Sequence, residues 1–295
     1  MKSSNHKYGG QAVIEGVMIR GKHSVCTSVR NPDGDIITRV KPINSNNMAR
    51  LRRTMFVRGI FTLIETIHMG MDSLSFSARV SAGEDEEPVE KQSLIGMIFV
   101  SIMLGIGLFF LLPLFASKPL EGIGNSHLFS NIAEGVIRLC IFVAYVAVIG
   151  LLPDIRRVYM YHGAEHMAVH ATEHGRPLTS EEIRNFPTAH PRCGTAFLLT
   201  VMLTSIVVFS LLPRNPFWWL ITSRIVFIPI IAGISYEMIR FSSVHAQNIL
   251  VRALMSPNLW LQSLTTKIPD EDQIEVAISA MNKAIESDMH IENRT

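Results

Sequence analysis

SLIGMIFVSIMLGIGLFFLLPLF, residues Ser93–Phe115, carries no charge over 23 positions. About 20 apolar residues in a helix span the hydrocarbon core of a bilayer, so this run sets the fold class. Three more apolar runs follow. Ile132–Leu152 contains Glu134 and Arg138, four residues apart and able to pair on one helix face. Charges near the end of a membrane helix pair or snorkel, and deeper ones tend to be functional; both readings stay open for this pair. Thr195–Leu212 is the third run and Phe217–Tyr236 the fourth. Arg224 lies close enough to the start of the fourth run to snorkel. Trp218, Trp219 and Tyr236 suit interfacial anchoring, and Pro229 with Gly233 predicts a kink. The expected fold is mainly α and polytopic: four transmembrane helices with a cytoplasmic layer that includes an N-terminal β-hairpin.

Composition sets the limits around that reading. The chain has 295 residues, 48% of them hydrophobic, and a formal net charge of +2. Near-neutral charge gives no footprint for nucleic acid. Cys26, Cys140 and Cys193 are odd in number and far apart, which fits a reducing compartment rather than a disulfide framework. Lys and Arg are sparse between the first and second runs and between the third and fourth. They are frequent before the first run, in 153–194 and after the fourth. The positive-inside rule then places the protein in the cell membrane, multi-pass, with both termini and 153–194 cytoplasmic. The expected units are an N-terminal cytoplasmic region (1–92), helices one and two (93–152), a cytoplasmic segment (153–194), helices three and four (195–236) and a cytoplasmic tail (237–295).

The N-terminal region has three parts. Gly9–Gly21 holds four glycines, suggesting tight turns or close approach of another segment. It lacks the Lys-Ser/Thr ending of a phosphate-binding P-loop. Ser24–Arg30 and Asp35–Ile43 flank Asn31-Pro32-Asp33-Gly34 and read as a hairpin. Residues 48–80 show helical spacing at Leu51, Met55, Ile60, Leu63, Ile64, Ile67 and Met71, with Arg50, Arg52, Arg53 and Arg58 at the front. This is either an amphipathic helix on the membrane surface or one packed on the domain's own core. Glu84–Pro88 reads as an acidic linker. In the tail, Pro257–Gln262 reads as a turn with an apolar anchor. Pro269–Asp272 opens an amphipathic helix carrying Ile274, Ala277, Ile278, Met281 and Ile285 on one face.

Chemistry concentrates in 153–194. Asp154–His174 reads as a helix stopped by Gly175 and Pro177. It contains Tyr161-His162-Gly163-Ala164-Glu165-His166, of the form His-x-x-Glu-His. His162 and His166 lie one helical turn apart and can reach one divalent metal, zinc or iron/manganese. Glu165 can serve as the general base toward water. A third ligand can come from His190 or Cys193, whose loop leads straight into the third run. Glu15, Glu173 and Glu237 are further choices. The bland alternative is a hydrogen-bonded network that holds cytoplasmic elements together. Cys193 follows an Arg and precedes a helix, which also suits a thiolate nucleophile. Thr179-Ser180-Glu181-Glu182 reads as a short capped helix.

Five motifs run in order along the chain: GGQAVIEGVMIR at 9–20, YHGAEH at 161–166, HPRCGT at 190–195, YEMIR at 236–240 and LQSLTT at 261–266. Together they resemble the YqhQ-like family of bacterial membrane proteins, labelled a domain of unknown function and at times described as metal-dependent enzymes. The resemblance implies a bacterial inner-membrane protein. It brings Arg240, in the fourth motif, among the site candidates. His170 and His174 extend the His162–His166 series in a way unusual for that family; they read as surface residues first and as extra ligands second. Two functions are expected in parallel. One is a metal-dependent hydrolase acting at the bilayer surface on a membrane lipid or peptide. The other is a non-catalytic partner or quality-control factor of a membrane-protein complex such as the secretion translocon.

Overall fold

The computed structural model describes residues 8–43, 57–83, 91–120, 127–191, 193–245 and 247–293. Four strands, Gly9–Val13 (β1), Gly16–Arg20 (β2), Ser24–Arg30 (β3) and Ile36–Pro42 (β4), form one antiparallel sheet in chain order. The expected hairpin is β3–β4, paired from Arg30↔Ile36 to Ser24↔Pro42 and turned at Gly34 with φ 95°. The glycine-rich stretch is more than turns: it forms β1 and β2, reversing at Ile14–Glu15, where Glu15 takes φ 49°. Its glycines answer close approach. A Cβ on Gly10 would stand 2.3 Å from the Met18 carbonyl oxygen, and one on Gly16 2.4 Å from that of Ser28.

Successive strand residues face opposite ways, and this sheet is covered on both faces. Val17, Ile19 and Cys26 pack with Tyr161, Met167, Ile274 and Met281. Val13, Met18, Val25 and Val29 pack with Met69, Phe76 and Val80. That double burial explains why the strands alternate only partly in sequence. The second cover is helix α1 (Val57–Ala82). Of its two expected roles, packing on the domain's own core is what one face does. Its other face leaves Ile64, Ile67 and Met71 more than half exposed. Arg50, Arg52, Arg53, Leu51 and Met55, and the acidic linker Glu84–Pro88, lie outside the described residues.

The first cover is a pair of helices, α5 (Pro153–Glu173) and α11 (Glu271–Glu292). Asp270 caps α11 through a capping box with Gln273. Ile274, Ala277 and Met281 are fully buried against the sheet and α5, as their spacing predicts. The short α6 (Ser180–Ile183) starts after Thr179, as expected, though without a side-chain cap bond.

The apolar runs form the other layer. The first comprises α2 (Lys91–Ile106), a π-helical turn at Gly107–Leu111 and α3 (Leu112–Ser117). The second is α4 (His127–Ile149) and the third α7 (Gly194–Ser210). The fourth is broken into α8 (Phe217–Val226) and α9 (Ile228–Val244), bent by 43°. Pro229 stands in the first turn of α9, so the expected kink falls just before it. Two helical stretches, Phe99–Leu120 and His127–Ile149, are long and apolar enough to cross a membrane, or three if the bent pair is one span. The third run falls short of the expectation: 17 residues in α7 rise about 25 Å, against a hydrocarbon core of about 30 Å. Phe99, Leu104, Val148, Val207 and Ile225 stand 61–70% exposed along these helices. Such a surface marks a membrane-associated protein.

Helix α10 (Ile249–Thr265) corrects one expectation. Pro257 does not start a turn; it lies inside this helix. Leu261 beyond it packs among Phe142, Val146 and Leu199, so tertiary burial overrides the local breaker. Thus α10 ties the apolar layer to the α5 layer.

Candidate metal centre

Helix α5 brings His162, Glu165 and His166 to one side, as the spacing predicts. His162 Nδ1 lies 2.9 Å from the Thr265 carbonyl oxygen, at the end of α10. His166 Nδ1 lies 2.6 Å from that of Thr188. A carbonyl only accepts, so both Nδ1 atoms carry the proton and both Nε2 atoms present lone pairs. Cys193 caps α7 and completes the group. Its Sγ accepts from the Thr195 N–H at 3.4 Å and stands 3.1 Å from His162 Nε2. Ligand atoms of His162, His166 and Cys193 all fall within 4.8 Å of one another.

These three donors could hold a metal ion. Metal-binding imidazoles hold their other nitrogen on a carbonyl or carboxylate, which fixes the tautomer and aims the lone pair. Two histidines and a cysteine suit zinc, leaving a fourth position open. Gly163 makes the approach possible, since a Cβ there would stand 2.1 Å from the Lys267 carbonyl oxygen. The end of α10 and the 266–267 segment can therefore cross α5 directly, placing the Thr265 carbonyl at His162.

Glu165 is buried, with Oε2 3.4 Å from His166 Nε2. Burial raises its carboxyl above the ordinary value; His162, His190 and the Gly10 N–H partly offset this. Two acceptors cannot face each other stably, so this approach demands a proton or a cation between them. Burial likewise lowers His166, with contacts to Cys193 and Thr188 working against it.

The remaining candidates are placed elsewhere. His190 does not join the three donors. Its Nε2 meets Glu173 Oε2 at 3.3 Å, and its backbone is clamped by Gln262 in both directions at 2.8 and 2.9 Å. It still lies near Glu165, whose charge raises it against a larger lowering by burial. Glu173 is taken up by that contact. Glu15 holds Arg157 at 2.7 and 2.5 Å and accepts from Tyr161, joining the β1–β2 turn to α5. Glu237 pairs with Arg58, and Arg240 is exposed beside it in a groove of about 470 Å³ between α9 and α10. Glu134 and Arg138 pair at 2.6 Å, as expected, but in the apolar layer. His174 is exposed as expected; His170 is not a free surface residue. It is half-buried, bonds the Ala189 carbonyl at 2.9 Å and stacks on Phe186. Burial lowers it to about 4.

Thr188, Thr265, Gly10 and Gln262 were not singled out by residue type. The first two act through backbone carbonyls, which leave no mark in a sequence. Gln262 does stand inside the 261–266 motif.

A sequence profile described as "Protein of unknown function (DUF1385)" matches residues 55–287. The chain belongs to this family. It is also similar to "Uncharacterized protein YqhQ" of Bacillus subtilis (strain 168), 33% identical over 302 residues covering 96% of this chain and 94% of that one. No solved structure matches. Family membership agrees with the resemblance carried by the five motifs, and the His-x-x-Glu-His helix and Cys193 both fall inside the matched range.

Proposed function

We propose that this chain is a multi-pass inner-membrane protein with a metal-dependent hydrolase site facing the cytoplasm at the bilayer surface. Convergence of the His162 and His166 Nε2 atoms with Cys193 Sγ, each imidazole tied back to a carbonyl, carries this reading. Four spans with both termini cytoplasmic fit the Lys/Arg distribution, with α7 and the bent α8–α9 pair as the third and fourth. Then the sheet, α5 and α11 form the cytoplasmic layer, and Cys193 sits where the third span meets it.

His162, His166 and Cys193 would hold a divalent ion, zinc by donor type. Such an ion supplies Lewis-acid polarisation of a substrate oxygen and of water. Glu165 holds and returns the proton, being next to His166 and shielded from bulk water. Gln262 and Thr188 keep the 188–193 loop in place. A substrate at the bilayer surface, a lipid or a peptide, follows from the location.

A second reading rests on the exposed stripe Ile64, Ile67 and Met71 of α1. Contiguous apolar residues of that kind suit a partner protein, and the chain would then serve a membrane-protein complex such as the secretion translocon, with the His/Cys group structural. Glu165→Gln separates the two. The hydrolase reading expects a folded protein with normal metal content that fails to complement a deletion strain. Full complementation by Glu165→Gln would sink the enzyme reading and leave the partner reading.

A further inference from the structure

The YEMIR motif at 236–240 lies in the second half of α9 and takes part in neither the metal centre nor the sheet layer. Its two charged residues differ in their surroundings. Glu237 accepts from both Nε and Nη2 of Arg58, at the start of α1. Arg240 is exposed and has no hydrogen-bond or ion-pair partner among the described residues. It differs also from Arg224, the arginine expected to snorkel, which turns inward onto Glu134 at 3.1 Å.

Arg240 stands at the groove of about 470 Å³ between α9 and α10. Helix α9 ends at Val244 and α10 starts at Ile249, so the groove lies near their junction. Ile234, Met238 and Phe241 recur at helical spacing and form one wall. Val251, Leu254 and Met255 form the other, and every α10 residue that lines the groove is apolar. At the junction His245 is held on the Phe241 carbonyl at 3.0 Å and stacks on the Phe241 ring. The walls open outward, with Phe241 58% and Leu254 64% exposed. Helix α9 is the second half of the bent fourth run, so the groove continues the exposed apolar surface of Ile228 and Ile230.

Sites for small ligands run to about 300–1,000 Å³, and this groove falls in that range. An apolar trough with an unmatched cation on its margin has the polarity of a ligand with a long apolar chain and an anionic head. Guanidinium forks match phosphate oxygens, and anionic headgroups attract arginine at a membrane surface. We propose that the α9–α10 groove binds one anionic phospholipid, with an acyl chain between the two helices and the phosphate on Arg240. Met255 stands ten residues before Thr265, whose carbonyl holds His162, which is about 15 Å along α10. The site is therefore separate from the metal centre and does not depend on the metal reading.

The test is native mass spectrometry of the full-length protein in detergent with equal phosphatidylglycerol and phosphatidylcholine. The wild type is expected to retain one phosphatidylglycerol with a several-fold preference. Arg240→Gln is expected to hold the two lipids alike, Arg240→Lys to keep part of the preference, and Leu254→Glu to retain neither. A wild type that retains no lipid, retains both equally or carries an apolar peptide instead overturns the proposal. So does an undiminished preference in Arg240→Gln, or lipid held as well by Leu254→Glu, which would mark a general lipid coat. Should Leu254→Glu fail to fold, phosphatidylglycerol with a photoreactive acyl chain is cross-linked to the wild type. Labels within residues 234–255 support the site, and labels only elsewhere overturn it.

Discussion

The two ends of α7 solve the problem of buried polar groups in opposite ways. At the Cys193 end the groups are neutral or easily neutralised, and each imidazole has one nitrogen fixed on a carbonyl and one lone pair directed inward. At the Phe209 end the groups are permanently charged, and one carboxylate is surrounded by guanidiniums. The first arrangement gathers groups that could share a proton or a cation. The second is already paired, charge against charge. Surplus of one kind, buried, is what distinguishes a candidate binding site from a closed structural network, in which donors and acceptors cancel.

That comparison breaks first at Glu134. Glu134→Gln leaves three buried arginines without their carboxylate and is expected to cost about 3–5 kcal/mol, read as a large drop in the unfolding temperature of the detergent-purified protein. A variant as stable as the wild type would show that the carboxylate does not hold this end together. At the Cys193 end the expected effect is smaller and depends on pH. Burial lowers His170 to about 4 in the folded chain, against about 6.5 when unfolded. The folded state then binds fewer protons, so its contribution is full above about 6.5 and is lost as pH falls from there through about 4. Metal-free protein should lose unfolding temperature across that window, and His170→Asn should flatten the profile; an unchanged slope in the variant would exclude His170 as the titrating group. The smallest effect tests whether the sheet layer merely supports the site. Asp270→Ala removes the α11 cap and should cost about 1 kcal/mol while metal content stays at the wild-type level. A loss of metal in this variant would mean that α11 does more than cover the sheet.

Much of the layer formed by the sheet, α5 and α11 was legible in the sequence, because its signals are local. Periodicity and caps mark α5 and α11, Asn31–Gly34 marks the β3–β4 turn, and Pro229 marks the break before α9. The His162–His166 pair follows from one helical turn. Strands β1 and β2 were hidden because their glycines resemble turns until Met18, Ser28 and Glu165 are seen packed against them. Pro257 disguised α10, whose stability comes from Leu261 in the apolar core. Arg214 and Arg224 meet Glu134 across 80 and 90 residues, a distance that no spacing rule covers. Spacing could not choose between His190 and Cys193; the fold sets Cys193 Sγ beside His162 and puts His190 Nε2 on Glu173.

The most direct measurement is the metal content of the full-length protein, by elemental mass spectrometry, beside a His162→Ala/His166→Ala double variant. Near one equivalent of zinc in the wild type, lost from a double variant that keeps its fold by circular dichroism, is the predicted result. Wild-type protein that holds no divalent metal after supplementation would contradict it, and protons rather than a cation would then join Glu165 to His166 and Cys193 to His162.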